Sequence, residues 1–415
     1  MKFDVGYIRK QFPALNRKIN GYPAAYLDGP GGTQVPQRVI DKVVEYLVQH
    51  NANAHGAFAT SIESDAILFN ARKTFADFFA CSWEEVSFCQ NSTTASFMLS
   101  QALSRELLPG DEIIITDMDH EANRGPWQVL EEKGFKLSSV AMDIKNCVID
   151  MADYQAKLTG KTKVVAINYA SNAVGTISDV KTMIQMAHDV GALTIVDAVH
   201  YALHGAIDVQ DIDTDFLYCS AYKFFGPHVG ILFAKKSKMH SLQTLKVNAQ
   251  ENVPPYKFET GTLNLEGIAG AAEAVEFIAD IGEQYLDDLS EALTGLEGRR
   301  KRIVAGMLSI EKYEQPLCDH FKNALKQLPE VTVYTPPDDS PKTSTISFIV
   351  ENVSPLNVAK KLAQKGVFVW DGDFYAAQPV RSLGLAESGG LIRVGLTPYN
   401  TREEIDRALE IISVL

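Results

Sequence analysis

The chain has 415 residues, of which 46% are hydrophobic and 22% are charged. This composition excludes a largely disordered or fibrous chain, and the length suits a large domain plus a smaller one. The formal net charge of −13 would repel phosphate backbones and anionic lipid, so we expect no nucleic-acid and no membrane partner.

The N-terminus lacks a long apolar core followed by a small-residue cleavage site. No apolar run approaches the roughly 18 residues needed to cross a bilayer, so a cytoplasmic location is the expectation. The cysteines are odd in number and scattered without CxxC spacing, which argues against a disulfide framework and against a zinc site. We therefore predict buried thiols and no metal.

Short apolar runs alternate with helical periods over residues 86–234. The runs are EVSFCQ, DEIIITD, KLSSVAM, TKVVAINYA, ALTIVDAV, DFLYCSAY and VGILFAKK. This alternation predicts an α/β fold with βαβ units around a mainly parallel sheet. The clearest crossover helix ends near Gly191 and is marked by apolar residues at helical spacing: Val180, Met183, Ile184 and Ala187.

The remainder of the chain predicts a second, smaller domain. A long amphipathic stretch over residues 265–307 predicts one helix that links the two domains. The runs TSTISFIV, VAKKLAQKGVFVW, LIRVGL and EEIDRALEIISVL then predict a compact α+β domain. The predicted division is an N-terminal segment 1–20 that packs on the small domain, a large domain 21–275, and a linking helix with the small domain over 276–415.

Two residues at predicted strand ends, an aspartate and a lysine, have side chains of the types that bind pyridoxal phosphate. Asp197 ends ALTIVDAVH, and a buried carboxylate there needs a cation such as the protonated nitrogen of pyridoxal phosphate, unless it only caps a helix. Lys223 lies between two strands, where partial desolvation would give the neutral amine that attacks an aldehyde. In isolation it would be an exposed surface lysine, but the Asp followed by S-x-x-K favours a lysine that carries the cofactor.

A phosphate site is predicted where four polar residues follow the strand VSFCQ and open a helical run: Asn91, Ser92, Thr93 and Thr94. Free amides and hydroxyls would converge there on an anion, although a simple helix cap explains the same residues. Ser220 and Tyr222 lie close to Lys223 in the sequence and could add donors.

Three further residues are candidates. His120 follows a strand and could stack on the cofactor ring and shuttle protons near neutral pH, or be structural. His200 could contact the cofactor's phenolic oxygen or only pair with Asp197. Arg393 lies on an apolar strand, where its guanidinium could bind an α-carboxylate or form an internal salt bridge.

Several segments, in order along the chain, resemble the class V aminotransferase superfamily, and within it the cysteine desulfurase/selenocysteine lyase branch. They are YLDGPGGTQVPQRVID, NSTTAS, DMDHEANRGPW, NYASNAVGT, TIVDAVHYALH, SAYKFFGPHVGIL, FETGTLN and IRVGLTPYNTREEID. The resemblance implies a pyridoxal-phosphate-dependent enzyme of fold type I. It also implies a homodimer with active sites at the subunit interface and an amino acid or amine as substrate.

The resemblance also implies individual roles at the cofactor. It assigns Lys223 to the Schiff base with pyridoxal phosphate, Asp197 to the pyridine nitrogen and His120 to ring stacking. Thr93 and Ser220 would hold the phosphate.

Other residues would act at the substrate or across the dimer. Thr262 would reach the phosphate of the neighbouring subunit, and Asn172 would approach the cofactor or substrate. Arg393 would bind the substrate carboxylate, and His55 matches a position near the substrate.

The chain departs from the desulfurase pattern in two positions and one loop. His200 and Tyr222 stand where the pattern usually has Gln and His. The loop that would hold the persulfide cysteine reads VWDGDFYAAQPV, and no Cys follows Cys318. Tyr375 in this loop is a further candidate for substrate binding.

The same loop has Trp370 where a substrate-site arginine is usual, followed by Asp371 and Asp373. These residues predict a more apolar or cation-tolerant pocket. Because desulfuration needs a thiolate nucleophile, we expect a C–S β-lyase type of elimination without a persulfide cysteine.

Two alternatives stay open. One is a class V aminotransferase that uses a 2-oxo acid acceptor. The other is a catalytically silent fold-type I binding protein, which the presence of the lysine, aspartate and histidine together disfavours.

Overall fold

The computed structural model describes residues 2–415. The strands are β1 Lys18–Ile19, β2 Tyr22–Pro23, β3 Ala25–Tyr26, β4 Val86–Cys89, β5 Glu112–Thr116, β6 Lys136–Val140, β7 Met142–Asp143, β8 Val148–Ile149, β9 Thr162–Asn168, β10 Leu193–Asp197, β11 Phe216–Ser220, β12 Gly230–Ala234, β13 Val331–Tyr334, β14 Thr345–Val350, β15 Val367–Phe368, β16 Trp370–Gly372 and β17 Leu391–Gly395. The α-helices are α1 Val5–Lys10, α2 Gln37–Glu45, α3 Ala59–Phe79, α4 Ser92–Leu103, α5 Glu121–Gln128, α6 Met151–Lys157, α7 Val180–Asp189, α8 Val209–Ile212, α9 Lys236–Ser241, α10 Leu265–Glu283, α11 Gly298–Leu325, α12 Pro355–Gln364, α13 Ala377–Ser382 and α14 Arg402–Ile412.

A seven-stranded sheet in the order β4-β12-β11-β10-β9-β5-β6 forms the centre of the large domain. Only β12 runs antiparallel to its neighbours, so the sheet is mainly parallel. All of the apolar runs predicted as strands lie in it, and the predicted α/β fold class is confirmed. The runs are continuously apolar because helices cover both faces of a parallel sheet.

The predicted crossover helix is α7, which joins β9 to β10. The Asp179 side chain caps it by accepting a hydrogen bond from the Thr182 amide at 3.2 Å. Its inward face is the predicted set of apolar residues, all buried: Val180, Met183, Ile184 and Ala187. Gly191 follows the helix with φ +80°, a left-handed conformation that ends helices.

The link between the domains differs from the prediction of one helix over residues 265–307, which is wrong. The structure has two helices, α10 and α11, separated by turns over residues 284–297. Gly295 lies in these turns with φ +80°, which a right-handed helix cannot include. The two helices pack closely because Gly306 has no side chain: a Cβ there would lie 2.1 Å from the Ile278 carbonyl oxygen.

The small domain is α+β, as predicted. Its antiparallel sheet has the order β13-β14-β17-β16, and α12, α14 and the end of α11 share a separate apolar core with it. The N-terminal segment packs against it: Arg9 donates to the Tyr399 carbonyl at 2.5 Å and to Glu404 at 2.8 Å. These contacts extend past residue 20, since β3 pairs with β15 and Asp28 bridges to Gly395.

Among residues 2–415, no helix combines the length and the apolar character that a membrane span requires.

Candidate active site

The carboxyl ends of the parallel strands meet at one edge of the large sheet. Asn168 ends β9 and is paired in register with Asp197, which ends β10. The loops that follow β9, β10 and β11 therefore face one another, as expected at the ligand edge of an α/β sheet. Most of the predicted site residues line one cavity there: Ser92, Thr93, His120, Asn172, Asp197, His200, Tyr222 and Lys223. We call it the inner cavity.

Lys223 lies in the short 3₁₀ helix after β11 and is partly buried. Its Nζ donates a hydrogen bond to the Pro30 carbonyl and lies 4.8 Å from the centroid of the Tyr222 ring. Burial, assisted by the charge of Arg393, lowers the pKa of Lys223 to about 7, against the opposing effect of Asp197. The alternative of an exposed surface lysine is wrong, and a neutral amine is available near neutral pH.

Asp197 is buried on the same cavity wall. Its Oδ1 accepts a hydrogen bond from the Val199 amide at 2.9 Å, and burial raises the pKa of Asp197 to about 6. It does not cap a helix, because the next helix is the 3₁₀ turn Tyr201–Leu203 with His200 at its start. A carboxylate in this position is stabilised when a cation binds opposite it.

The N-terminus of α4 opens onto the inner cavity. The cap is Asn91, whose side chain accepts from the Thr94 amide at 2.8 Å, so the serine and threonine at 92 and 93 are not needed as caps. The Ser92 amide donates to Ser220 Oγ at 3.3 Å, which places the buried Ser220 hydroxyl beside the helix start. Free amides and hydroxyls at a helix start are a suitable phosphate site.

His120 has the structural role that was one of its two predicted alternatives. It is the N-cap of α5, where Nδ1 accepts from the Ala122 amide at 3.0 Å, so a neutral ring carries its proton on Nε2. Burial, followed by the charges of Lys223 and Arg393, lowers the pKa of His120 to about 4. The lowered pKa of His120 argues against a proton shuttle near neutral pH and favours a neutral ring that donates from Nε2. Stacking of this ring on the cofactor stays a prediction.

His200 is buried on the cavity wall and does not pair with Asp197. Its Nε2 lies 3.2 Å from Thr343 Oγ1 and 3.1 Å from Thr345 Oγ1, both from the small-domain side. The alternative of a pair with Asp197 is therefore wrong. Burial lowers the pKa of His200 well below its usual value, so the ring is neutral.

A second cavity of about 290 Å³ adjoins the first and shares Lys223, His120, Asn172 and Tyr222 with it. We call it the outer cavity. Its far wall is formed by β16 and the turn that follows it; we call residues 370–376 the 370–376 loop. Because the two cavities share walls, a group bound at Lys223 is open to ligands in the outer cavity.

Arg393 lines the outer cavity and is 3% exposed. Its Nη1 donates to the Asn172 carbonyl at 2.9 Å, and Cζ lies 4.3 Å from the centroid of the Phe374 ring. The predicted alternative of an internal salt bridge is wrong. No carboxylate pairs with this guanidinium within residues 2–415, and Nε has no hydrogen-bond partner there. The guanidinium thus lines the outer cavity without a carboxylate partner among residues 2–415.

Hydrogen bonds hold the 370–376 loop over the site. Asn172 Nδ2 donates to the Phe374 carbonyl at 3.1 Å, and the Glu121 amide donates to the Tyr375 carbonyl at 2.7 Å. Phe374 is buried, whereas Tyr375 is 74% exposed at the mouth of the outer cavity. Tyr375 is thus placed to contact a ligand, as predicted for a substrate-binding residue, although that role stays a prediction.

Within one chain, His55 and Thr262 do not line the cavities that contain Lys223. They line a different cavity, of about 450 Å³, together with residues around position 250. Their predicted positions near the substrate and on the phosphate of a neighbouring subunit concern a dimer, and both stay predictions.

Two residues of the site were missed in the sequence. Asn168 lines the inner cavity, its Nδ2 donates to the Met118 carbonyl at 3.0 Å, and its buried Oδ1 has no partner in the described part of the chain. The position of Asn168 at the end of an apolar strand is the sequence feature that could have identified it. Asp28 is half-buried, its enclosed Oδ1 has no hydrogen-bond partner among residues 2–415, and desolvation raises the pKa of Asp28 to about 6. No periodicity marks it, because it lies in a turn.

The side chains of the inner cavity fit pyridoxal phosphate. A lysine with a lowered pKa suits the aldehyde, a buried carboxylate suits the pyridine nitrogen, and a helix start with hydroxyls suits the phosphate. Asn168 beside this cavity keeps an enclosed Oδ1 without a hydrogen-bond partner among residues 2–415.

The aminotransferase class-V family model matches residues 25–298 and 302–408, so the chain belongs to that family. It is a pyridoxal-phosphate-dependent enzyme of the cysteine desulfurase-like kind, and the predicted cofactor is confirmed.

Individual proteins show how far the similarity extends. The chain is 30% identical to a cysteine desulfurase of Pectobacterium carotovorum, over 98% of this chain and 97% of the relative. It is 32% identical to a probable cysteine desulfurase of Halalkalibacterium halodurans, over 96% and 95%. The apo structure of a cysteine desulfurase from Thermococcus onnurineus has a TM-score of 0.86 at 26% identity, over 100% of this chain and 98% of that one.

Proposed function

We propose that this chain is a C–S β-lyase that cleaves cysteine S-conjugates with pyridoxal phosphate and without a persulfide cysteine. The observation that carries the proposal is the 370–376 loop, which covers Lys223 and contains no cysteine. Abstraction of sulfur by a desulfurase requires a thiolate nucleophile at the substrate's sulfur. A site without a thiolate nucleophile can still remove the Cα proton and eliminate the sulfur substituent from Cβ.

The thiols elsewhere in the chain do not replace the missing nucleophile. Neither the inner nor the outer cavity is lined by any cysteine of residues 2–415. Burial raises the pKa of each thiol, to about 12 for Cys89 and to about 11 for Cys147. Thiolates are therefore scarce at neutral pH.

Lys223 is proposed as the residue that carries the cofactor and moves the proton. Its neutral Nζ would hold the cofactor through the aldehyde carbon, and the same nitrogen is placed to accept the Cα proton of a bound substrate. The Asp197 carboxylate would hold the pyridine nitrogen and stabilise its protonated form. The cofactor, when bound, supplies the electron sink that stabilises the charge developing at Cα.

The elimination breaks the Cα–H and Cβ–S bonds and changes no overall oxidation state. One cysteine S-conjugate and one water give one thiol, one pyruvate and one ammonium ion. Lys223 Nζ takes the Cα proton, which can return to the departing thiolate. Nε2–H of neutral His120 can donate a hydrogen bond at this point.

The remaining site residues bind and orient. Arg393, whose guanidinium lines the outer cavity without a carboxylate partner among residues 2–415, is proposed to bind the α-carboxylate, and Asn172 is held between Arg393 and the 370–376 loop. The start of α4, with Ser92, Thr93 and the neighbouring hydroxyl at 220, is proposed to hold the phosphate.

We propose further that the enzyme works as a homodimer. His55 and Thr262 lie away from the inner cavity of their own chain, in a region with large exposed apolar residues such as Val48 and Phe58. Exposed apolar groups of this kind mark association surfaces. Light scattering of the purified enzyme should give twice the monomer mass, and a monomer would contradict this part.

Product analysis tests the proposed function. The holoenzyme is incubated with S-ethyl-L-cysteine, and pyruvate, ammonium and ethanethiol are expected in equal amounts. Three outcomes would overturn the proposal. They are accumulation of pyridoxamine phosphate until a 2-oxo acid is added, formation of alanine from free cysteine as the sole reaction, or no reaction with any conjugate.

A further inference from the structure

One face of the small-domain sheet forms part of the wall of the outer cavity. β16 pairs with β17 in a register that puts Trp370 opposite Arg393, so both side chains lie on the same face of the sheet. Ser347 is paired with Arg393 on the other side, and its Oγ donates to the Ala173 carbonyl of the large domain. This face is therefore turned to the large domain, and Trp370 lines the same cavity as Lys223.

The Trp370 indole is fixed along one edge and is otherwise open to the cavity. A Cβ at Gly31 would lie 2.3 Å from Trp370 Nε1 and 2.8 Å from its Cδ1, so the indole packs directly on the Gly31 backbone. The side chain is nevertheless 51% exposed. A large aromatic side chain that is held in place and half exposed in a cavity gains free energy when an apolar group covers it.

The turn after β16 holds a second aromatic ring at the cavity, at a conformational cost. Phe374 and Tyr375 have φ values of +57° and +55°, the left-handed region that bulky residues rarely adopt. Hydrogen bonds from Asn172 and from the Glu121 amide to their carbonyls hold this backbone in place. Backbone of this kind concentrates at ligand-binding segments. Here it keeps the Phe374 ring on the Arg393 guanidinium and leaves the Tyr375 ring 74% exposed.

The part of the outer cavity that the inner cavity does not share carries these two exposed rings. Lys223 lies where the cavities meet, so a substrate with its Cα there reaches Trp370 and Tyr375 with its side chain. Asp373 also lines this part, and its Oδ1 is occupied by the Tyr375 amide at 3.0 Å. Asp371 alternates with Trp370 along β16, so its side chain lies on the other face of the sheet. A volume of about 290 Å³ is small for a ligand pocket and suits one amino acid with a single ring.

We propose that the substrate is an α-amino acid with an aromatic side chain, whose ring packs against the Trp370 indole and the Tyr375 ring. Aromatic pairs in offset or edge-to-face contact gain more than the burial of their area alone, which favours an aromatic group over an aliphatic one. This inference rests on the proposed function, and with it the substrate class becomes conjugates such as S-benzyl-L-cysteine. Trp370 and Tyr375 are then specificity-determining residues.

Three conjugates test the inference with the holoenzyme. They are S-benzyl-L-cysteine, S-cyclohexylmethyl-L-cysteine and S-ethyl-L-cysteine, and pyruvate release gives kcat/KM for each. We expect the benzyl conjugate to exceed the ethyl conjugate about 10-fold, because its ring is buried on the two aromatic side chains. It should exceed the cyclohexylmethyl conjugate, which has a similar size and no aromatic face, about 3-fold. A benzyl conjugate that is no better than either of the others would overturn the inference.

Trp370→Ala should lower the benzyl-to-ethyl ratio of kcat/KM about 10-fold, whereas Trp370→Phe, which keeps an aromatic face, should stay within about 3-fold of the parent enzyme. The ratio reports the contact with the ring, because each leaving group is the same in both enzymes. Tyr375→Ala removes only an exposed ring and should lower the ratio about 3-fold. The matched control is Tyr7→Ala, at an exposed ring on α1 outside the cavity, which should leave the ratio unchanged. An unchanged ratio in Trp370→Ala and Tyr375→Ala, or an equal loss in the control, would overturn the inference.

Binding separates this inference from the proposed function. L-homophenylalanine and L-2-aminobutyrate have no sulfur to eliminate, and shifts of the cofactor absorbance of the holoenzyme give a dissociation constant for each. L-homophenylalanine should bind about 10-fold more tightly, and Trp370→Ala should remove most of the difference. If no conjugate releases pyruvate, the proposed elimination fails while the binding comparison still decides the substrate class. Equal binding of the two amino acids to the parent enzyme would overturn the inference.

Discussion

The two walls of the active site are positioned in different ways. The inner wall, with Lys223 and Asp197, lies on the rigid edge of the large sheet and at the start of α4. The outer wall, formed by Arg393 and the 370–376 loop, belongs to the small domain and closes over the first. A rigid scaffold suits residues that perform the chemistry, and a loop can vary with the substrate. Changes to the inner wall should therefore affect the cofactor, and changes to the outer wall should affect the substrate alone.

Lys223→Ala should have the largest effect. Without the amine there is no group to bond the aldehyde or remove the Cα proton, so kcat for pyruvate release should fall about 10³-fold. Lys236→Ala is the control, since this exposed lysine only pairs with Glu84. Pyruvate release by Lys223→Ala at the rate of the control would contradict the assignment.

Asp197→Asn should weaken the cofactor site while leaving its shape intact. Removal of one partner of a buried charge pair costs about 3 kcal/mol, which raises the dissociation constant for pyridoxal phosphate about 100-fold. Titration of the apoenzyme measures this constant. Asp211→Asn, at an exposed carboxylate paired with Lys181, should leave it unchanged, and an equal effect in both variants would remove the special role of the buried carboxylate.

Arg393→Gln should weaken substrate binding and leave the affinity for the cofactor unchanged. Loss of a charge-assisted hydrogen bond to the α-carboxylate costs about 1.5–3 kcal/mol, so KM should rise about 10- to 100-fold. The dissociation constant for pyridoxal phosphate should stay within a factor of about two. A comparable loss of cofactor affinity would break the separation between the two walls.

The pH dependence of cofactor incorporation tests the environment of Lys223. Because burial lowers the pKa of Lys223 to about 7, the neutral amine is present at lower pH than in an exposed lysine. The rate at which pyridoxal phosphate enters the apoenzyme should rise about 10-fold from pH 6 to pH 8 and then level off. A rate that continues to rise through pH 9 would indicate a solvent-exposed lysine with an ordinary pKa.

Gly230→Ala should have the smallest effect and sharpens the account of the inner wall. A Cβ at Gly230 would lie 2.5 Å from the Asn91 carbonyl carbon, so the start of α4 must move. We expect a loss of about 1 kcal/mol in the free energy of unfolding, measured with urea, together with weaker binding of pyridoxal phosphate. Gly160→Ala is the control, because nothing lies within 4 Å of a Cβ there, and equal losses would contradict the contact.

The sequence predicts the residues at the strand ends far better than the helix break in the link and the contacts between the two domains. Lys223 and Asp197 follow apolar strands, and the ends of parallel strands converge wherever such a sheet forms. The split between α10 and α11 was missed because one amphipathic stretch hides the turn around Gly295. The bonds of His200 to the threonines at 343 and 345 depend on the docking of the two domains, which local periodicity does not encode.

The attachment point of the cofactor is the most direct test of the whole account. The holoenzyme is reduced with borohydride and digested, and the peptides are mapped by mass spectrometry. The pyridoxyl phosphate mass should be found on Lys223, and Asp197→Asn should lower its yield. The mass on any other lysine, with Lys223 unmodified, would contradict the account.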